Sequence, residues 1–301
     1  MLSSFLKGRQ SSLFVVVFVL LSLLLVACGS NGGSSTGGSG SSTSKPSVAA
    51  PNDLISSGYL TVGSDTTYAP QEYIDTSTGK PTGFDIDLIS AVAQKMGLQP
   101  RIMTAKFDSI INSLSAKRFD VVISAVTINA DRQKVADFVP YFNAGESLLV
   151  QKGNPKNLKS PSDLCGQNVG VQNGTVEQMD LQTASDACKK AGKPPINMTI
   201  LQDQTAVIQL LSSSRVVATY QDSPVTDYYN KLNPGQFQVG GSVVNAAPEG
   251  IVIRKADSAM LKAVQTAFNS LKADGTYKNL INKWGLTTGA ISLMDRRSNL
   301  V

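Results

Sequence analysis

The chain reads as an α/β protein of two lobes, each a mainly parallel sheet flanked by helices. Short apolar runs of strand composition alternate with segments whose apolar residues recur at helical spacing. The connections between them are short, which favours parallel strands with crossover helices. This alternation also occurs twice, in two separate stretches.

In the first stretch, Tyr59-Leu60-Thr61-Val62-Gly63 is a short strand ending in glycine. After the turn Thr78-Gly79-Lys80-Pro81, Asp85 to Met96 places Ile86, Ile89, Val92 and Ala93 on one helical face. Arg101 to Thr104 reads as a strand, and Ser109 to Lys117 as a helix carrying Ile110, Ile111 and Leu114 on one side. Phe119 to Ser124 is apolar at Val121, Val122 and Ile123, the mark of a strand buried on both faces. The second stretch gives a strand at Asn168 to Gln172, a helix at Val176 to Ala191 and a strand at Asn197 to Leu201. Thr205 to Leu211 is then a helix and Val216 to Tyr220 a strand. A strand at Gly250 to Ile253, a long helix from Ser258 to Asp274 and a helix at Tyr277 to Trp284 complete the order. Two such lobes leave a cleft, and ligands of these folds sit at the carboxyl ends of the strands.

The start of the chain points outside the cytoplasm. Lys7 and Arg9 precede an almost unbroken apolar run from Leu13 to Ala27, followed by Cys28 and a polar segment. The run is shorter than the roughly 20 residues of a spanning helix, and its order of charge, apolar core and small residues is that of a secretory signal. Leu25-Val26-Ala27-Cys28 resembles the bacterial lipobox, which implies acylation of Cys28 and a signal peptide covering residues 1–27. Residues 28–50 then form a tether, rich in Gly and Ser between 29 and 47. Such a coil has a reach on the order of 25 Å.

Composition excludes several function classes. The chain has 27 basic and 22 acidic residues and no His. Loss of the leader removes only Lys7 and Arg9, so the exported form carries a net charge of +3. No basic cluster with interleaved aromatics suggests nucleic acid. The lack of His argues against a His-ligated metal, a His-dependent triad and a His pH switch. No metal or cofactor is expected. Cys165 and Cys188, in an exported chain, most simply form a disulfide, with two free thiols as the alternative.

Seven segments, in this order, resemble the bacterial extracellular solute-binding proteins of family 3, the amino-acid receptors of ABC importers. They are LTVGSDTTYAP, GKPTGFDIDLISAVAQKMG, FDVVISAVTINADRQKVADFVPYF, DLCGQNVGVQNGTV, YQDSPV, GIVIRK and LKADGTYKNLINKWGL. The resemblance implies a type II periplasmic-binding-protein fold, two lobes joined by two crossover strands and closing on ligand by a hinge. The implied division is lobe 1 over 51–147, lobe 2 over 148–244, a return to lobe 1 over 245–286 and a loose tail over 287–301.

An α-amino acid presents a carboxylate, an ammonium and a side chain, so its receptor needs a cation, an anion and a shaped wall. Arg132 is the expected carboxylate ligand, since a guanidinium fork holds both oxygens, and it follows Thr127 at the family spacing. Asp222 is the expected ammonium ligand, with a turn or helix-cap role as the rival. Gly174-Thr175 opens a helix after a strand, where N–H groups and the dipole favour an anion. By resemblance, Tyr68 and Phe107 sandwich the ligand side chain, while Ser124 and Ala125 meet the ammonium. Gln71 replaces the family's usual Phe, and Val176 a second Thr. Asp65 leaves a cationic ligand open, and Gln71 and Gln204 suit a polar neutral or acidic one.

The expected function is therefore an extracytoplasmic lipoprotein, monomeric and not an enzyme. It would capture a polar or cationic amino acid and deliver it to a membrane permease. Cyclohexadienyl dehydratases share the implied scaffold and give the alternative, with Glu249 as the carboxyl that could serve as acid.

Overall fold

The computed structural model describes residues 47–291. The leader, Cys28 and most of the tether lie outside the described residues. Among the described residues no helix is long and apolar enough to cross a membrane.

The chain opens with β1 (Tyr59–Ser64), followed by a small antiparallel sheet of β2 (Thr67–Tyr68), β3 (Glu72–Ile74) and β4 (Pro81–Thr82). Helix α1 (Phe84–Lys95) buries Phe84, Ile86, Leu88, Ile89, Val92 and Ala93, the face its spacing predicts. β5 (Gln99–Thr104), α2 (Ile110–Ser115), β6 (Val121–Val122) and α3 (Ala130–Val135) follow. The long strand β7 (Ala136–Gln151) then leads out of this lobe. The second lobe contains β8 (Asn168–Gln172), α4 (Val176–Lys190), β9 (Asn197–Leu201), α5 (Gln204–Ser212), β10 (Ala218–Asp222) and α6 (Ser223–Leu232). The 18-residue β11 (Phe237–Arg254) returns the chain to α7 (Ser258–Ala273) and α8 (Thr276–Trp284).

One eight-stranded sheet runs in the order β5-β1-β6-β11-β7-β10-β8-β9. β5, β1 and β6 are parallel, and so are β10, β8 and β9. β7 and β11 lie antiparallel between the two sets, in register from Ala136 opposite Arg254 to Gln151 opposite Phe237. Each long strand therefore serves both lobes and forms the two crossovers. Register shifts occur between Gly240 and Val244, Val244 and Ala247, and Glu249 and Gly250. Such irregularities locally release the ladder and let strands bend. Two apolar cores flank this connection. One joins Leu60, Phe84, Val121 and Tyr141 to Ile251, Val264 and Phe268, and the other joins Leu148, Val169, Leu181 and Tyr220.

Several boundaries differ from expectation: the strand expected at Gly250 to Ile253 is the end of the longer β11, and the one expected at Val216 to Tyr220 runs from Ala218 to Asp222. The tether, expected to reach residue 50, gives way to packed chain earlier: the N–H groups of Ser47 and Val48 both donate to the Lys95 carbonyl, and Val48 joins the first core. At the other end, the tail expected to be loose from Thr287 is packed as far as Ile291. Thr287–Gly289 form a 3₁₀ turn, Gly289 is buried against Phe142, and the Ile291 N–H donates to the Tyr277 hydroxyl at 3.1 Å. The strand expected over Phe119 to Ser124 is only two residues long, because the chain turns from the sheet to build the cleft wall. Cys165 and Cys188 form a disulfide with a Cα–Cα distance of 5.6 Å, tying α4 to the turn before β8.

Candidate functional site

The carboxyl ends of the parallel strands converge on one small cavity between the lobes. Tyr68, Phe107, Ser124, Ala125, Thr127 and Arg132 line it from the first lobe. Gln172, Thr175, Val176, Glu177 and Asp222 line it from the second.

Arg132 is set by its own short helix. The Asn129 side chain caps α3 by accepting the Arg132 N–H at 2.9 Å. The guanidinium donates to the carbonyl of Thr127 at 2.7 Å and, across the cleft, to that of Gly174 at 3.1 Å. It also lies over the Phe107 ring, 5.4 Å from the centroid. Burial pulls its pKa below the usual range while Glu177 and Asp222 act to hold it up.

Asp222 ends β10 and precedes α6, but its carboxylate does not cap that helix. It accepts the Tyr68 hydroxyl from the opposite lobe at 2.9 Å, and the same hydroxyl accepts the Asp222 N–H at 3.1 Å. Burial raises the Asp222 carboxyl to about 6, against the opposing pull of Tyr68 and Arg132. Thr175 caps α4: its hydroxyl donates to the Gln172 carbonyl at 2.9 Å and accepts the Gln178 N–H at 3.2 Å. Ser124 donates to Glu72 at 2.7 Å and accepts the Asp65 N–H at 2.9 Å. The Ala125 N–H is directed to the buried Asp85 carboxylate at 2.9 Å.

Five expectations need correction. Asp65 does not line the cavity; Gln172, which does, places its amide on the Asp65 carboxylate. Burial raises that carboxyl to about 6. Gly174 is also outside the lining. It allows the lobes to approach: its φ is +80°, and a Cβ there would lie 2.7 Å from the Asp108 Cα. Gln71 and Gln204 face other partners, Glu249 at 3.0 Å and Gln221 at 3.2 Å. Glu249, the carboxyl considered as an acid, is fully buried behind the cavity wall rather than in it.

Sequence reasoning missed Gln172 and, of the charged lining residues, Glu177. Glu177 is 2% exposed, lines the cavity and leaves its Oε1 without a hydrogen-bond partner. Burial and the neighbouring Asp222 and Glu146 raise its carboxyl well above the usual range. A signal was present: Glu177, Leu181, Ser185 and Cys188 are the buried residues of α4, one helical face with an acid at its head.

The lobes meet elsewhere too. Asp108 accepts from Asn173 at 2.9 Å and Gln202 at 3.2 Å, while Thr67 accepts the Gln204 N–H and takes the Thr205 hydroxyl on its carbonyl, both at 3.0 Å. These cross-cleft bonds describe a closed arrangement.

Comparison with known proteins places this geometry. The chain is similar to the L-cystine-binding protein TcyJ of Escherichia coli K12, 32% identical over 235 residues, covering 77% of this chain and 85% of that one. Among solved structures it is similar to an ancestral arginine-binding protein bound to arginine, with 37% identity, a TM-score of 0.69 and coverage of 75% and 98%. It is also similar to the ancestral amino acid-binding protein AncCDT-1, a precursor of cyclohexadienyl dehydratase, with 34% identity, a TM-score of 0.68 and coverage of 75% and 95%. The profile of bacterial extracellular solute-binding proteins, family 3, matches residues 60–287. With a match over most of its length and a type II two-lobed fold, the chain belongs to that family.

Proposed function

We propose that this protein is the substrate receptor of an ABC importer, held at the membrane by a lipid on Cys28, and that it captures a polar or cationic amino acid between its lobes. The observation that carries this reading is the pairing of Arg132 with Asp222 across one small cavity. A cation and an anion supplied by opposite lobes match the two charges of an α-amino acid, and only the closed form presents both. Ligand contacts with both lobes would shift an open–closed equilibrium toward closure. Tyr68 would hold Asp222 in place and, with Phe107, form the wall beside the side chain.

The enzyme alternative lacks the acid first considered for it, since Glu249 donates nothing to the cavity and is tied to Gln71. Incubation with prephenate and arogenate is expected to yield no product. The direct test of the binding function is thermal unfolding against the twenty amino acids. A ligand at a hundredfold excess over its dissociation constant stabilises the folded state by about 2.7 kcal/mol. A shift for one chemical group sets the substrate class; no shift for any of them refutes the reading. For the anchor, Cys28→Ser is expected to abolish incorporation of labelled fatty acid and release the protein from the membrane fraction.

A further inference from the structure

The cleft holds more acid than a zwitterion can use. Glu177 and Asp222 face each other within hydrogen-bonding reach, Glu177 from the first turn of α4 and Asp222 from the end of β10. Glu146, on β7, is directly opposite Asp222 in the antiparallel ladder and buried. Around Glu177 stand Asp222, Glu146, Tyr68 and Tyr220, with Asp180 beyond Glu146, and Arg132 is the cation that faces this group.

A neutral amino acid would place its carboxylate on Arg132 and its ammonium on Asp222. Glu177 would then remain as a second buried carboxyl, which must either keep a proton or pay the cost of an unpaired charge. A ligand with a second positive charge removes that conflict.

Resting on the amino-acid reading above, we propose that Glu177 and Asp222 act as a carboxyl pair that selects amino acids of net charge +1. The cavity would take arginine, lysine or ornithine and release one proton to solvent as the ligand enters. In the empty closed cavity the pair shares a proton; the ligand's cationic group takes its place, the carboxyl O–H bond breaks, and the proton leaves to water. Charge then balances, two carboxylates and the ligand carboxylate against Arg132 and two ligand cations. Two features support a recognition role over a structural one. Glu177 Oε1 lacks a protein partner although it is buried, and, unlike Glu72, Asp85, Glu146 and Glu249, which also keep such an oxygen, the residue lines the cavity.

The test compares L-arginine with L-citrulline, which has nearly the same shape but an uncharged side chain. Titration calorimetry on the intact protein, in buffers of different ionisation enthalpy near pH 6, reads affinity and proton release together. Arginine is expected to bind at least about tenfold more tightly and to release close to one proton, citrulline none. Glu177→Gln is expected to bring the two affinities within about threefold and to abolish the release. Citrulline binding as tightly as arginine, or arginine heats that do not depend on the buffer between pH 5 and 8, overturns the proposal while leaving an amino-acid receptor. Absence of binding by any amino acid overturns the underlying reading instead. Should Glu177→Gln fail to fold, the wild-type comparison of the two ligands decides alone.

Discussion

Two groups of buried carboxyls, a short distance apart in the chain's topology, are treated differently by the fold. Behind the cleft, Glu72, Asp85 and Glu249 are each fully buried, and each receives a protein donor. Ser124 donates to Glu72, Gln71 to Glu249, and both the Ala125 N–H and the Tyr141 hydroxyl to Asp85. In the cleft, Asp222 receives Tyr68, and Glu177 leaves its Oε1 without a partner; each acid of the first group also keeps one such oxygen, but only Glu177 lines the cavity. The first group ties the crossover strands to the loop at Ser124 and Ala125. The second leaves hydrogen-bonding and charge capacity open toward a cavity. Burial alone marks neither as functional; an acid with unfilled capacity facing a cavity does.

Substitutions should separate the two groups by readout. The largest effect is expected for Arg132→Ala, which leaves the ligand carboxylate unpaired in a desolvated site and costs about 2–5 kcal/mol of affinity. Calorimetry should then show loss of binding by roughly thirtyfold or more with an unchanged thermal transition. Near-normal affinity would break the assignment of the cleft. Behind the cleft, Asp85→Ala strips two donors of their acceptor and is expected to lower stability by about 2–3 kcal/mol in denaturant unfolding. Glu249→Gln keeps shape and hydrogen bonding while removing a buried acid, and should change stability by less than about 1 kcal/mol. A large loss there would mean that Glu249 is held ionised.

Closing the disulfide loop is worth about 3 kcal/mol in the chain-entropy model. Reduction of Cys165–Cys188 is therefore expected to lower the midpoint of unfolding without altering affinity, since the bridge is outside the cavity lining. Gly174→Ala gives a smaller, selective effect. The new Cβ meets Asp108 across the cleft and the backbone keeps a positive φ, so affinity should fall about tenfold from impaired closure.

Stability should also depend on pH. Asp65, Asp85 and Asp222 have carboxyls raised to about 6 by burial, so below that value the native state holds protons that the unfolded chain has given up. Stability of the ligand-free protein is thus expected to be greatest below about pH 4 and to fall as pH rises from there to about 6. The exposed Asp274, lowered to about 2 beside Lys95, works in the opposite direction and weakly. Affinity for a cationic ligand should move the other way and improve with rising pH, as protons cease to compete. A stability that instead rises between pH 4 and 7 would show the buried acids to be compensated.

Much was legible in the chain alone because it is local. Strands β8 and β9 end at the residues their apolar runs and flanking turns indicate, and α1, α4, α7 and α8 agree with the spacing of their apolar residues to within about one turn. The motif order brought eight of ten expected site residues to one cavity, since strand ends and helix starts are placed by the same local patterns. What tertiary structure decided is what depends on distant partners. β7 contains Pro140, Asn143 and Gly145, poor strand signals on their own, and is held as one strand by β11 about a hundred residues later. The identity of Glu177 as a cavity residue and the withdrawal of Asp65, Gln71 and Glu249 from it follow from which carboxyls find donors once the lobes pack. Local sequence sets propensity and periodicity; the ionisation and availability of a buried acid are set by neighbours that only the folded chain brings together.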